Sequence, residues 1–201
     1  MPERTTDELL LEQAGEGDQA AFLELYERYR EPIFRFAYRL LGSVEIAEDV
    51  THDCFLSLIR KPENYRRERA SLKTYLYAAA RNLALKHFRD QGRETGLDEV
   101  SEEPKESPRR GPLRRLLDEE LATQVREAIF SLPPLQREAL ILFEYEGLSL
   151  NEVAEVAGTD AGAIKARLYR AREGLRRMLR PYLEGNQELN SGREIVTLRE
   201  A

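Results

Sequence analysis

Leu150-Asn-Glu-Val-Ala-Glu-Val-Ala-Gly-Thr-Asp-Ala-Gly-Ala-Ile164 sets a small residue, a glycine and an apolar anchor at its fifth, ninth and fifteenth positions. That spacing predicts a helix-turn-helix. Ala154 is small where a second helix crosses closely, Gly158 takes a turn in which positive φ is cheap only without a Cβ, and Ile164 pins the second helix to the first. Asp160 is a suitable N-cap for that second helix. Beyond it, Ile164, Leu168, Ala171, Leu175 and Leu179 form one apolar stripe, while Lys165, Tyr169, Arg170 and Arg177 fall on other faces and Arg167 and Arg172 flank it. A helix in this role offers its N-terminal residues to major-groove base edges and its cations to phosphates. The candidate base readers are Asp160, Ala161, Ala163, Lys165 and Ala166, with Arg167, Arg170 and Arg172 on the backbone. Several are too small to hydrogen-bond a base, so direct readout is modest.

The charge balance at first argues against nucleic acid. The 201 residues carry 31 Lys+Arg and 37 Asp+Glu, a net charge of −6. The charge is unevenly spread, however. Residues 61–92 sum to +5 and residues 161–183 to +6, which leaves −17 on the remaining 146. Fields are screened within about 8–10 Å at physiological salt, so local charge decides what a phosphate backbone meets. One Cys and two His exclude a disulfide framework and a Cys/His zinc site. No apolar run reaches the roughly 18 residues of a membrane span, and Met-Pro-Glu-Arg followed by acids is no signal peptide. A cytoplasmic protein without direct membrane insertion is expected.

Apolar residues recur at three- and four-residue steps almost throughout, and no run alternates long enough to make a strand. Helices are predicted at 6–14, 18–41 with an interruption near Pro32, 45–60, 71–90, 118–131, 134–146, 149–157 and 160–182. From Gln91 to Pro112 the pattern fails amid three prolines, three glycines and many charges, a composition that cannot offset its ordering entropy. The fold expected is all-α: two small helical domains, 1–90 and 118–183, joined by a flexible charged linker, 91–117, with a polar tail, 184–201. The linker's span is about 30 Å when flexible and about 90 Å fully extended.

In the first domain, Leu72, Leu76, Ala80 and Leu83 point inward. Lys73, Tyr77 and Arg81 form an outward row, with Tyr75, Asn82, Lys86 and Arg89 elsewhere on the surface. Tyrosines among cations suit unpaired bases, with rings for stacking and charges for phosphates. The preceding loop, with Asn64, Tyr65, Arg66, Arg67 and Arg69, suits an extruded base. Upstream, Ile46, Val50, Cys54 and Leu58 make a core stripe. Asp49, His52, Asp53 and Leu56 share the next face, and Phe55 and Ile59 lie beyond it, a candidate docking surface for a partner helix. Asp49 and Asp53 lack further ligands for a metal, so neither metal nor cofactor is expected.

Taken together, Ala47-Glu-Asp-Val-Thr-His-Asp-Cys-Phe-Leu56, Tyr75-Leu-Tyr-Ala-Ala-Ala-Arg-Asn82, Leu132-Pro-Pro-Leu-Gln-Arg-Glu-Ala-Leu140 and Glu146-Gly-Leu-Ser through Arg170-Ala-Arg172 resemble the extracytoplasmic-function (ECF) branch of bacterial sigma-70-type sigma factors. The likeness covers about residues 18–183. It implies a transcription initiation factor that carries no catalytic chemistry. Asp49, His52, Asp53, Phe55 and Leu56 would dock on the β′ subunit of core RNA polymerase, and the second domain would also contact β. Asn64, Tyr65, Arg66, Arg67, Arg69, Lys73, Tyr75, Tyr77, Arg81 and Asn82 would bind and melt the minus-ten element of promoter DNA. Thr159, Asp160, Ala161, Gly162, Ala163, Lys165, Ala166, Arg167, Arg170 and Arg172 would bind the minus-thirty-five element. An anti-sigma factor is the implied regulator. Four positions depart from the family pattern: Tyr75 stands where Trp is usual, His52 where Gln is common, and Ala163 and Ala166 replace hydroxyl residues.

Two other classes remain open at this level. A standalone helix-turn-helix regulator with an N-terminal protein-interaction domain would bind duplex DNA without polymerase. A helical enzyme lacks any visible nucleophile–base pair, phosphate loop or ligand set.

Overall fold

The computed structural model describes residues 6–91 and 112–197, and the expected linker lies mostly outside them. Four helices make the first domain: α1 Asp7–Gly15, α2 Gln19–Leu41, α3 Val44–Arg60 and α4 Leu72–Gln91. The second holds α5 Pro112–Phe130, α6 Pro134–Leu140, α7 Leu150–Ala157 and α8 Ala161–Thr197. No strand occurs among the described residues.

Short polar side chains start the helices where the sequence supplies them. The Asp18 carboxylate accepts from Ala20 N at 2.8 Å at the head of α2, and the Ser43 hydroxyl accepts from Ile46 N at 3.3 Å at the head of α3. Helix α2 runs unbroken through Pro32, contrary to the expected interruption. Proline costs one backbone hydrogen bond, but Ile33, Phe36, Ala37 and Leu40 just beyond it are all buried, and their packing outweighs that loss.

Two other boundaries move. Helix α5 begins at Pro112, inside the stretch expected to be linker, because proline suits a first helical position and Leu113, Leu116 and Leu117 already repeat at helical spacing. Helix α8 continues past 182 to Thr197 despite Pro181, so the expected polar tail is helical over most of its length.

The two domains are packed together. One buried apolar cluster runs from Leu25, Phe36 and Leu76 through to Leu142, Val153 and Ile164, with α4 lying against α7. Gly42 closes α2 at φ +80°, and a Cβ there would stand 3.2 Å from the Phe130 ring of the second domain. That glycine serves both the turn and the close approach.

Candidate nucleic-acid interface

The first basic island begins in a single 3-10 turn, Pro62–Asn64. Tyr65 follows, half-buried, its ring edge-on to Tyr75 at 5.5 Å. Its hydroxyl is buried without a hydrogen-bond partner among the described residues, and burial pushes the phenol above its ordinary value. Around this aromatic pair Asn64, Arg66, Arg67 and Arg69 are exposed. An amide and three guanidiniums in the open are suited to base edges and phosphates.

Lys73, Tyr77 and Arg81 on α4 behave differently. The Arg81 Nε donates to Glu138 Oε1 of α6 at 2.8 Å. The Tyr77 hydroxyl donates to Glu146 Oε2 at 2.7 Å, and Lys73 Nζ donates to the Glu146 carbonyl at 3.1 Å. Burial, then the Glu146 charge and hydrogen bond, drive the Tyr77 phenol far above its usual range. Its ring meets Phe36 edge-on at 5.4 Å. Asn82 is exposed beside this row, and Tyr75 is half-buried.

The second island follows a tightly built turn. Ser149 and Glu152 form a reciprocal capping box at the head of α7, which holds the Glu152 carboxyl below its ordinary range. Gly158 ends α7 at φ +62°, with Thr159 N donating to Ala154 O at 2.9 Å. Asp160 then caps α8, accepting from Ala163 N at 2.9 Å. Ile164, Leu168 and Ala171 are buried, which turns Lys165, Ala166, Tyr169, Arg170 and Arg172 outward. Arg172 is shared with Glu144 at 2.6 Å, an exposed pair of small energetic weight.

On α3, Asp49, His52 and Asp53 are exposed, and with Lys86 and His87 of α4 they line a polar cavity of about 390 Å³. Leu56 is half-buried. The Cys54 thiol is buried, which pushes it up to about 12 and leaves it unreactive. Among the described residues no group of three or more His, Cys, Asp and Glu is placed to hold a metal ion, and no helix is long and apolar enough to cross a membrane.

Comparison with known proteins fits this arrangement domain by domain. Residues 25–94 match the family model for sigma-70 region 2, and residues 122–175 match that for sigma-70 region 4. The sigma-H factor of Pseudomonas aeruginosa is 32% identical over 88% of this chain and 95% of its own length. The chain belongs to the ECF branch of the sigma-70 family. SigW of Bacillus subtilis is 30% identical over 85% of the chain and 95% of its own length, and sigma-E of Escherichia coli is 31% identical over 91% and 99%. Among solved structures, the sigma factor RpoE of Bartonella quintana, in complex with the anti-sigma factor NepR, superposes with a TM-score of 0.67 at 25% identity, covering 79% of this chain and 96% of that one. CnrH, in complex with the cytosolic domain of CnrY, gives 0.64 at 25% identity over 87% and 97%. The function is that of an RNA polymerase sigma factor, directing promoter-specific initiation, and sigma factors are initiation factors rather than enzymes. A standalone helix-turn-helix regulator is not favoured, because region 2 accounts for the first domain.

Within this sigma fold five residues differ from their sequence reading. The row Lys73, Tyr77 and Arg81 faces region 4 rather than solvent, since acids at Glu138 and Glu146 lie opposite it. Phe55, expected on the polymerase-docking face, is buried edge-on to Tyr26 at 4.9 Å, because the apolar surface of α2 claims it. Arg167 turns inward. Its Nη1 is buried without a hydrogen-bond partner among the described residues, and its charge acts on Glu138. Sequence reasoning also left out Tyr169 as a site residue, although it is 67% exposed one turn beyond Lys165. Its place off the apolar stripe was the available signal.

Proposed function

We propose that region 2 docks on core polymerase through the exposed Asp49, His52 and Asp53 of α3 and takes the minus-ten strand on the loop bearing Asn64, Tyr65, Arg66, Arg67 and Arg69. Region 4 then contacts the polymerase β subunit and meets the minus-thirty-five element with the first two turns of α8. Asp160, Ala161, Ala163, Lys165 and Ala166 lie nearest the bases, with Thr159 in the turn and Gly162 at the start of α8, and Arg170 and Arg172 hold phosphates. The domain limits that go with this reading are 1–90 and 118–183. The carrying observation is that the loop arginines and the outward cations of α8 are exposed on two domains that match sigma regions 2 and 4. As an initiation factor the chain leaves the chemistry to polymerase, and it works in the cytoplasm. An anti-sigma factor regulates it, a reading supported by the similar structures of RpoE with NepR and CnrH with the cytosolic domain of CnrY.

The test is transcription from a library of genomic fragments by bacterial core polymerase with and without the purified chain. Expected are new start sites that share two upstream elements, and a changed minus-ten preference for Asn64→Ala. No specific start sites from a folded chain would overturn the reading.

A further inference from the structure

Helix α4 presents two polar surfaces. Toward region 4 its donors are committed to the contact between the domains. A π-helical turn, Ile141–Tyr145, carries the chain there into Glu146, which accepts from the Tyr77 hydroxyl and from Arg39 Nη1 at 3.1 Å. Toward α3 the chemistry is different. Lys86 and His87 share with Asp49, His52 and Asp53 the polar cavity of about 390 Å³. The chain has two histidines, and both line this one cavity, one from each helix.

Imidazole is the side chain whose charge changes between about pH 5 and 8. Two carboxylates stand against one ammonium in the cavity, so it carries −1 with both imidazoles neutral and +1 with both protonated. Among the described residues only α3 and α4 line it. Glu45 and Glu48 lie exposed one turn before Asp49 and His52 on α3. On the α2 side stands the Phe55–Tyr26 ring pair, with the Arg30 guanidinium over Tyr26 at 5.9 Å. A face that docks through exposed carboxylates meets a cationic surface, because like charges across an interface repel. Each imidazolium would then be repelled in the complex and tolerated in the free chain. Docking therefore expels protons, and by linkage added protons oppose docking.

We propose that the cavity between α3 and α4 makes the polymerase-docking face proton-sensitive: acidic and competent while His52 and His87 are neutral, reversed in charge and weakened when both are protonated. The inference rests on the reading of Asp49, His52 and Asp53 as docking residues. It adds His87 of α4 to that face, and it gives association with polymerase a direction in pH. Binding is strongest above the ordinary imidazole range and falls as pH drops through it.

The experiment titrates the full chain, fluorescently labelled at its N-terminus, with bacterial core polymerase and reads anisotropy. Expected is association about three- to tenfold weaker at about pH 6 than at about pH 7.5 in low salt. His52→Gln with His87→Gln removes this loss, because neither amide titrates, and His87→Gln alone removes part of it. If circular dichroism shows that the double variant fails to fold, His87→Gln carries the test, and a loss equal to wild type overturns the proposal. Asp49→Asn with Asp53→Asn examines the docking reading by itself. Unchanged affinity of that pair at about pH 7.5 would overturn the reading and the proposal with it. Weakened docking of that pair, beside an undiminished pH loss in the histidine double variant, would overturn the proposal alone. Proton NMR of the free chain gives a second measurement, since two histidines give two imidazole Hε1 signals. Both should move over the same pH interval, and a pair of fixed signals would overturn the proposal.

Discussion

Helix α4 carries Lys73 and Tyr77 four residues apart, and helix α8 carries Lys165 and Tyr169 at the same spacing, each pair followed within a turn by arginine. Tyr77 is 1% exposed and Tyr169 is 67% exposed. The same local pattern therefore ends in opposite environments. What differs is the facing surface: α4 meets Glu138 and Glu146 of the other domain, while the corresponding face of α8 stays open at Tyr169 and meets Glu144 and the Phe143 ring of its own domain through Arg172. A basic island says that phosphate is welcome. It does not say whether the place is already taken.

The largest expected contrast comes from making one substitution in both islands. Arg81→Ala leaves Glu138 buried without its partner and costs about 3–5 kcal/mol. Arg176→Ala removes only an exposed pair with Glu173 and changes stability by about 0.5 kcal/mol or less. Thermal unfolding of the two variants checks this, and equal melting temperatures would break the comparison.

That contrast also marks how far the sequence could be read. The helices, the turn at Gly158 and the cap at Asp160 follow from spacing and residue chemistry within a few positions of each other, so they were legible. The burial of Tyr77 depends on Glu146, 69 residues away, and that of Arg81 on Glu138, 57 residues away. No local period reports such a partner. Phe55 misled for the same reason, since both flanks of α3 read as apolar and only α2 shows which flank is covered. Pro32 reads as a break because a proline's local cost is visible in the sequence and the packing that offsets it is not.

A smaller effect is expected on α8 alone. In holoenzyme on a minus-thirty-five duplex, Arg170→Ala should lower the salt dependence of binding by about one unit of slope, the signature of one lost phosphate contact. Arg172→Ala should lower it by less, because Glu144 already holds that guanidinium. Equal slopes for both variants would show that the Glu144 pair dissolves on DNA.

The smallest expected effect concerns pH and has opposite signs on two glutamates. Burial raises the Glu138 carboxyl above its ordinary value, against the pull of Arg81 and Arg167. The closed chain therefore holds this proton more tightly than the unfolded chain. The group's contribution is fully present below the ordinary carboxylate value and is lost as pH rises through the raised one. Hydrogen bonds within the capping box lower Glu152, so its contribution is present above the ordinary value and is lost as pH falls through the depressed one. Urea midpoints of Glu138→Gln and Glu152→Gln, each subtracted from wild type across pH 4–7, should drift in opposite directions. Parallel drifts would show that the two carboxyls share one environment.

The π turn at Ile141–Tyr145 gives the contact between the domains a dependence on counting. An α-helix advances about 100° per residue, and a π turn accommodates one residue beyond that register. Deleting a single uncharged residue from this turn would restore the regular winding and rotate Glu146 by about a quarter of a circle, off Tyr77 and Arg39. No charge would change, and neither α4 nor α8 would lose a side chain. Relatives of this chain could thus tune how readily their two halves part by gaining or losing one residue of phase, a change invisible to any tally of acids and bases.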